Sequence, residues 1–114
     1  MEKAIAIFYG PKIKGFVNFT QKKGDDMNVH IKISGLGNNT KRAIHIHTYG
    51  DMRDGCKSLG GHWNPSAVAH GQRGVTTEYH AGDIDNMDVG PDSVGYMERK
   101  IEGWTIGDGN SQDI

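Results

Sequence analysis

His45, His47, His62, His70 and His80 stand close together in this chain, and Asp83 follows soon after the last of them. Imidazole nitrogens and a carboxylate oxygen are the donors that borderline divalent ions take, so the chemistry this density implies is metal binding. The cluster also stops abruptly. From Ile84 to Ile114 the sequence contains neither histidine nor cysteine. Whatever these side chains can do for a metal is complete by Asp83 or stays incomplete.

The spacing divides the cluster. In the stretch Ala43-Ile44-His45-Ile46-His47, period-two geometry points both imidazoles to one face of a strand and the two isoleucines to the other. A pair of strand histidines joined by a third imidazole suits copper. Three imidazoles with a carboxylate make a closed tetrahedral set suited to zinc, and His62, His70, His80 and Asp83 lie along the segment that could supply one. A single histidine is more often a surface or hydrogen-bonded residue than a ligand, so the argument rests on the five together. His30 stands alone in an amphipathic stretch and reads as a non-ligand. Cys56, the one cysteine, reads as a buried small hydrophobe rather than a reactive thiol. It has no partner for an internal disulfide, which fits a reducing compartment.

The elements that must hold these residues are strands. Glycine occurs 17 times, helix-length apolar periodicity is absent, and short alternating runs recur between turn signals. Strands are predicted at 4–9, 14–20, 28–34, 43–48, 83–87 and 93–100, with a seventh at 104–106. Lys23-Gly24-Asp25-Asp26 reads as a hairpin connection, and Gly35-Leu36-Gly37-Asn38-Asn39 as a further turn. The fold class is all-β, a sandwich or Greek-key barrel. Residues 50–79 break the pattern with little strand character; a loop that long is normally functional or disordered, and the three clustered histidines in or bordering it favour function. The chain length predicts one domain, 1–114. A net charge of −1 from 13 basic and 14 acidic residues gives no field for nucleic acid or an anionic membrane surface. No segment has the apolar length of a membrane span, and the N-terminus lacks a cleavage pattern, so a soluble, cytoplasmic protein is expected.

The run His45-Ile46-His47-Thr48-Tyr49-Gly50-Asp51, then Gly55-Cys56, Gly60-Gly61-His62-Trp63-Asn64-Pro65, His70-Gly71 and His80-Ala81-Gly82-Asp83 resembles the copper/zinc superoxide dismutases. Lys14-Gly15-Phe16-Val17-Asn18-Phe19 is similar to that family's second strand, and Ile33-Ser34-Gly35-Leu36 to the end of its third. Trp104-Thr105-Ile106-Gly107-Asp108 with Asn110-Ser111 resembles the turn after its sixth. The resemblance implies an immunoglobulin-like Greek-key barrel and an antioxidant oxidoreductase that converts superoxide to oxygen and hydrogen peroxide. By the same resemblance His45 and His47 bind copper and His62 bridges copper to zinc, and these three are the catalytic set. His70, His80 and Asp83 complete the zinc site, with the His70 to His80 loop one residue longer than in familiar members. Cys56 matches a loop cysteine that in the family bonds to one near the C-terminus.

The family's fourth copper histidine, its charged guiding loop, the arginine beside copper and the partner cysteine have no counterpart in these 114 residues. The expectation is a C-terminally truncated member lacking the last two strands, with zinc bound and the copper site incomplete. Weak or no dismutase activity is then predicted. Exposed strand edges invite homo-oligomers or pairing with another chain, and a copper chaperone is a further expected partner. The alternative is a non-catalytic homologue that sequesters metal or pairs with a full-length dismutase, and the plainest reading is a structural β-domain whose loop zinc orders.

Overall fold

Strands form where apolar and polar side chains alternate. In the computed structural model, which describes residues 1–65, 70–73, 79–107 and 114, they are β1 (Glu2–Tyr9), β2 (Lys14–Gln21), β3 (Met27–Ser34), β4 (Lys41–His45), β5 (Asp83–Asp88) and β6 (Gly95–Ile101). One sheet has the order β1-β2-β3-β6, and the other pairs β4 with β5. β6 thus lies beside β3 rather than beside its predecessor in the chain, the non-sequential adjacency of a Greek key. Neither sheet closes on itself. The chain divides into two compact units, Met1–Arg42 with Met87–Ile114, and Ala43–Asn86.

In the first unit β3 shows why the register is fixed. Met27, Val29, Ile31 and Ile33 are buried while Asn28, Lys32 and Ser34 are exposed, so a slip of one residue would turn the whole apolar set to water. Val17 and Phe19 of β2 stand opposite Ile31 and Val29, and Met97 of β6 stands opposite Ile31 on the other side. The β2–β3 connection closes with the Asp25 N–H on the Lys22 carbonyl at 2.9 Å. Gly24 supplies the left-handed backbone this turn needs, with φ +86°. The hairpin read from Lys23 to Asp26 is therefore present. β1 pairs in full with β2, yet almost all of its residues are exposed, Ile5, Ile7 and Tyr9 among them.

The predicted strand at 104–106 is a correction. No strand is present there; Trp104 is instead buried, its ring 6.3 Å from that of Phe19. The Trp104 carbonyl accepts from the Gln21 side chain at 2.7 Å, which also donates to the Asp25 carbonyl at 2.8 Å and so satisfies a buried amide. Apolarity there marks a core plug rather than a ladder. The turn read at Gly107-Asp108 with Asn110-Ser111 extends outside the described residues. Among the described residues no helix is long and apolar enough to cross a membrane.

Ile31→Ala should lower unfolding stability by about 2 to 5 kcal/mol, because the side chain is fully buried in a central strand. Ile5→Ala on β1, where the side chain is 60% exposed, should change it by only about 0.5 kcal/mol or less. Urea midpoints of the two variants check the contrast, and equal losses would contradict the placement of the core.

Candidate metal centre

Three backbone segments meet at one point in the second unit. The Ile46 N–H donates to the Gly82 carbonyl at 2.8 Å, the Trp63 N–H to the Ile46 carbonyl at 2.7 Å, and the Gly82 N–H to the Trp63 carbonyl at 2.8 Å. Each of these residues adjoins candidate ligands: His45 and His47 flank Ile46, His62 precedes Trp63, and Asp83 follows Gly82. The approach is so close that a Cβ on Gly82 would lie 2.4 Å from the Ile46 carbonyl oxygen, so only glycine fits. The segment before Trp63 is laid alongside by Thr48 N–H to Gly61 and Tyr49 N–H to Leu59, both at 3.0 Å. A short 3-10 helix, Lys57–Leu59, turns the loop back.

His62, His70, His80 and Asp83 converge, with one ligand atom of each lying within 4.8 Å of the others. Asp83 is the hub and is 4% exposed. Its Oδ1 stands 2.8 Å from His62 Nδ1, and its Oδ2 stands 2.9 Å from His70 Nδ1 and 3.7 Å from His80 Nδ1. His62 Nδ1 and His80 Nδ1 are 3.3 Å apart. Tetrahedral ligands about 2.0 to 2.1 Å from zinc stand roughly 3.3 Å from one another, and these separations bracket that value. The donor set and its spacing fit zinc. Burial by itself pushes the Asp83 carboxyl up, but the His80 N–H at 2.9 Å, the His62 hydrogen bond and the nearby His70 outweigh it and hold Asp83 below the usual carboxylate value.

His45, His47 and His62 form a second convergent group, also within 4.8 Å. The predicted strand 43–48 ends early, at His45, and His47 instead forms an isolated antiparallel bridge with His62. The two histidines still lie near each other: their ring centroids are 6.2 Å apart, and the His45 ring stacks on His62 at 3.8 Å. His47 Nδ1 lies 2.9 Å from the Gly60 carbonyl oxygen. A carbonyl only accepts, so Nδ1 carries the hydrogen and Nε2 is left to bind. His62, with Nδ1 turned to Asp83, likewise keeps Nε2 for this second group. Burial, then the neighbouring His62, pull His45 below the ordinary imidazole value, and the Asp83 charge only partly opposes them.

His30 lies outside both groups, between the rings of Phe16 at 5.7 Å and Tyr96 at 5.2 Å. Cys56 is a correction: it is exposed and free, not a buried small hydrophobe, because it sits at the loop turn before the 3-10 helix where no core is available. Arg73 was not singled out by sequence, since an arginine in a polar loop gives no sign of where its fork will go. Its Nε and Nη2 donate to the carbonyls of Asp83 and Ala81 at 2.9 and 2.8 Å.

A family model described as copper/zinc superoxide dismutase matches residues 13–114. The chain is 40% identical over 91 residues to a superoxide dismutase [Cu-Zn] of Neurospora crassa, covering 78% of this chain and 58% of that protein. It is 37% identical over 105 residues to one of Talaromyces marneffei, covering 89% and 68%. The structure also superposes on the clock protein EA4 with a TM-score of 0.82 and 28% identity, over 90% of this chain and 64% of that one. These 114 residues therefore span a little over half the length of the Neurospora protein.

Without metal, stability should fall on acidification in two windows. His45 has a lowered folded value, so the proton that the unfolded chain takes up below about pH 6.5 is refused by the folded one, and stability drops as pH falls through that range. Asp83 has a lowered carboxyl, so its contribution is present above about pH 4 and is lost as pH falls through the folded value. Urea midpoints of the metal-free chain from pH 8 to 3 should show both declines. His45→Gln should flatten the upper one, and an unchanged upper decline would refute its assignment to His45.

Proposed function

The chain belongs to the copper/zinc superoxide dismutase family, and on that basis we propose that His62, His70, His80 and Asp83 hold zinc while His45, His47 and His62 hold copper. One observation carries the reading: His62 is the only residue shared by the two convergent groups. Its Nδ1 faces Asp83, and its ring lies against those of His45 and His47. Copper bound there supplies one-electron exchange, by which one superoxide is oxidised to dioxygen and a second, taking two protons, is reduced to hydrogen peroxide. The chain's own part is to fix donors. Gly60 locks the His47 tautomer, Asp83 orients the His62 ring, and the lowered basicity of His45 favours a neutral ring ready to bind.

His62 is shared, its Nδ1 side lying against Asp83 of the first group. Counted without that shared residue, the second group would consist of His45 and His47 alone. Two imidazoles do not fix a geometry, and redox poise depends on a fixed one. These 114 residues by themselves are therefore read as a zinc-loaded domain of the family with weak or no superoxide turnover. The second reading, a metal-sequestering homologue without catalysis, is favoured by the same inequality between the two groups. The exposed edge strand β1 is where a second copy or a full-length dismutase would pair, and the His45 and His47 face is where a copper-delivery protein would reach.

Metal analysis and a superoxide assay on one sample test this. After loading, the chain should hold one zinc and a less tightly held copper, with turnover far below the diffusion-limited rates of about 10⁸ to 10⁹ M⁻¹s⁻¹ that the most efficient enzymes reach. His62→Ala should lower both metals, and His47→Ala copper alone. Loss of only one metal in His62→Ala would remove the shared role, and turnover near the diffusion limit would refute the impairment.

A further inference from the structure

We propose that Arg73 is a positioning residue for the zinc group, a strap that holds the 79–83 turn in the shape that presents His80 and Asp83 together. This rests on the assignment of zinc to that group. Arg73 follows His70 closely in the chain. Its Nε donates to the Asp83 carbonyl at 2.9 Å and its Nη2 to the Ala81 carbonyl at 2.8 Å. Its guanidinium carbon lies 4.5 Å from the centre of the Tyr79 ring, the residue before His80. One side chain thus grips the turn at 79, 81 and 83 and encloses His80 between its contacts. Through its own backbone it also ties that turn to the segment carrying His70, so three of the four ligands share one brace.

The geometry requires a fork. Two donors in one rigid plane set the separation of two carbonyls, which a single ammonium on a flexible stem does not do. The Asp83 backbone must be held because its carboxylate serves two histidines at once, Oδ1 toward His62 and Oδ2 toward His70. The Gly82 hydrogen bonds anchor the residue before it, and Arg73 holds the Asp83 carbonyl itself. Charge alone acts in the opposite direction. A cation near a divalent site disfavours the ion, so a purely electrostatic Arg73 would weaken zinc binding and its removal would strengthen it. The sign of the change separates the two roles.

The test is zinc affinity by chelator competition on the 114-residue chain, together with the visible spectrum of cobalt placed in the same group. Arg73→Ala should weaken zinc by about 10 to 100-fold, as loss of an outer-shell partner typically does, and the cobalt absorption should lose its tetrahedral intensity. Added methylguanidinium should restore part of both in Arg73→Ala. Arg73→Lys keeps the charge without the fork and should be weakened as well. Unchanged or tighter zinc in Arg73→Ala overturns the strap and leaves the zinc assignment standing. A wild-type chain that takes no zinc overturns both. Where Arg73→Ala fails to fold, Arg73→Lys decides by the same comparison.

Discussion

The three-way backbone junction of Ile46, Trp63 and Gly82 is the constraint on which the candidate centre depends. None of the three supplies a ligand, yet each stands beside one or two. Main-chain hydrogen bonds between residues far apart in sequence bring separate segments to one point and leave their neighbours facing each other. The side chains then need only short reaches. This explains why Gly82 has no tolerance for a Cβ, and why the long loop, poor in regular structure, can still present imidazoles in defined orientations.

Asp83 then converts proximity into order. Its carboxylate meets two imidazoles and a backbone N–H, which compensates the burial of a charge at the heart of a histidine cluster. Without that anion the crowded imidazoles would lose the common acceptor that orders them. The carboxylate selects which nitrogen of His62 faces inward, and this choice alone decides that the other nitrogen faces the second group. One acidic side chain thereby orients both halves of the centre.

Much of this was legible before any coordinates. Alternation in Met27 to Ser34, the turn chemistry around Gly24 and the histidine spacing are local signals, and local signals survive in sequence. His62, His70, His80 and Asp83 read as one set because residue type and family resemblance agree, and the structure brings the four together. What could not be read was set by tertiary context. Trp104 is apolar in a short run that resembles a strand, but a large ring in reach of a core goes to the core. β4 stops at His45 because His47 is diverted into a bridge with His62, a partner far along the chain. Cys56 is small and apolar enough for an interior, yet its turn has none to offer. The fork of Arg73 had no signal at all, since its targets are carbonyls, which every residue has.

The continuity of the second unit bears on the order of events at the ribosome. Ala43–Asn86 is one unbroken stretch, whereas the first unit is made of two pieces, and its sheet lacks β6 until Ile101 has been made. A chain emerging N-terminus first therefore carries every member of both histidine groups once Asp83 is out, while β3 still has a bare edge. Contacts within one segment close a shorter loop than contacts across two, and so form sooner. The half that carries the candidate metal ligands thus has all of its segments available before the four-stranded sheet is finished.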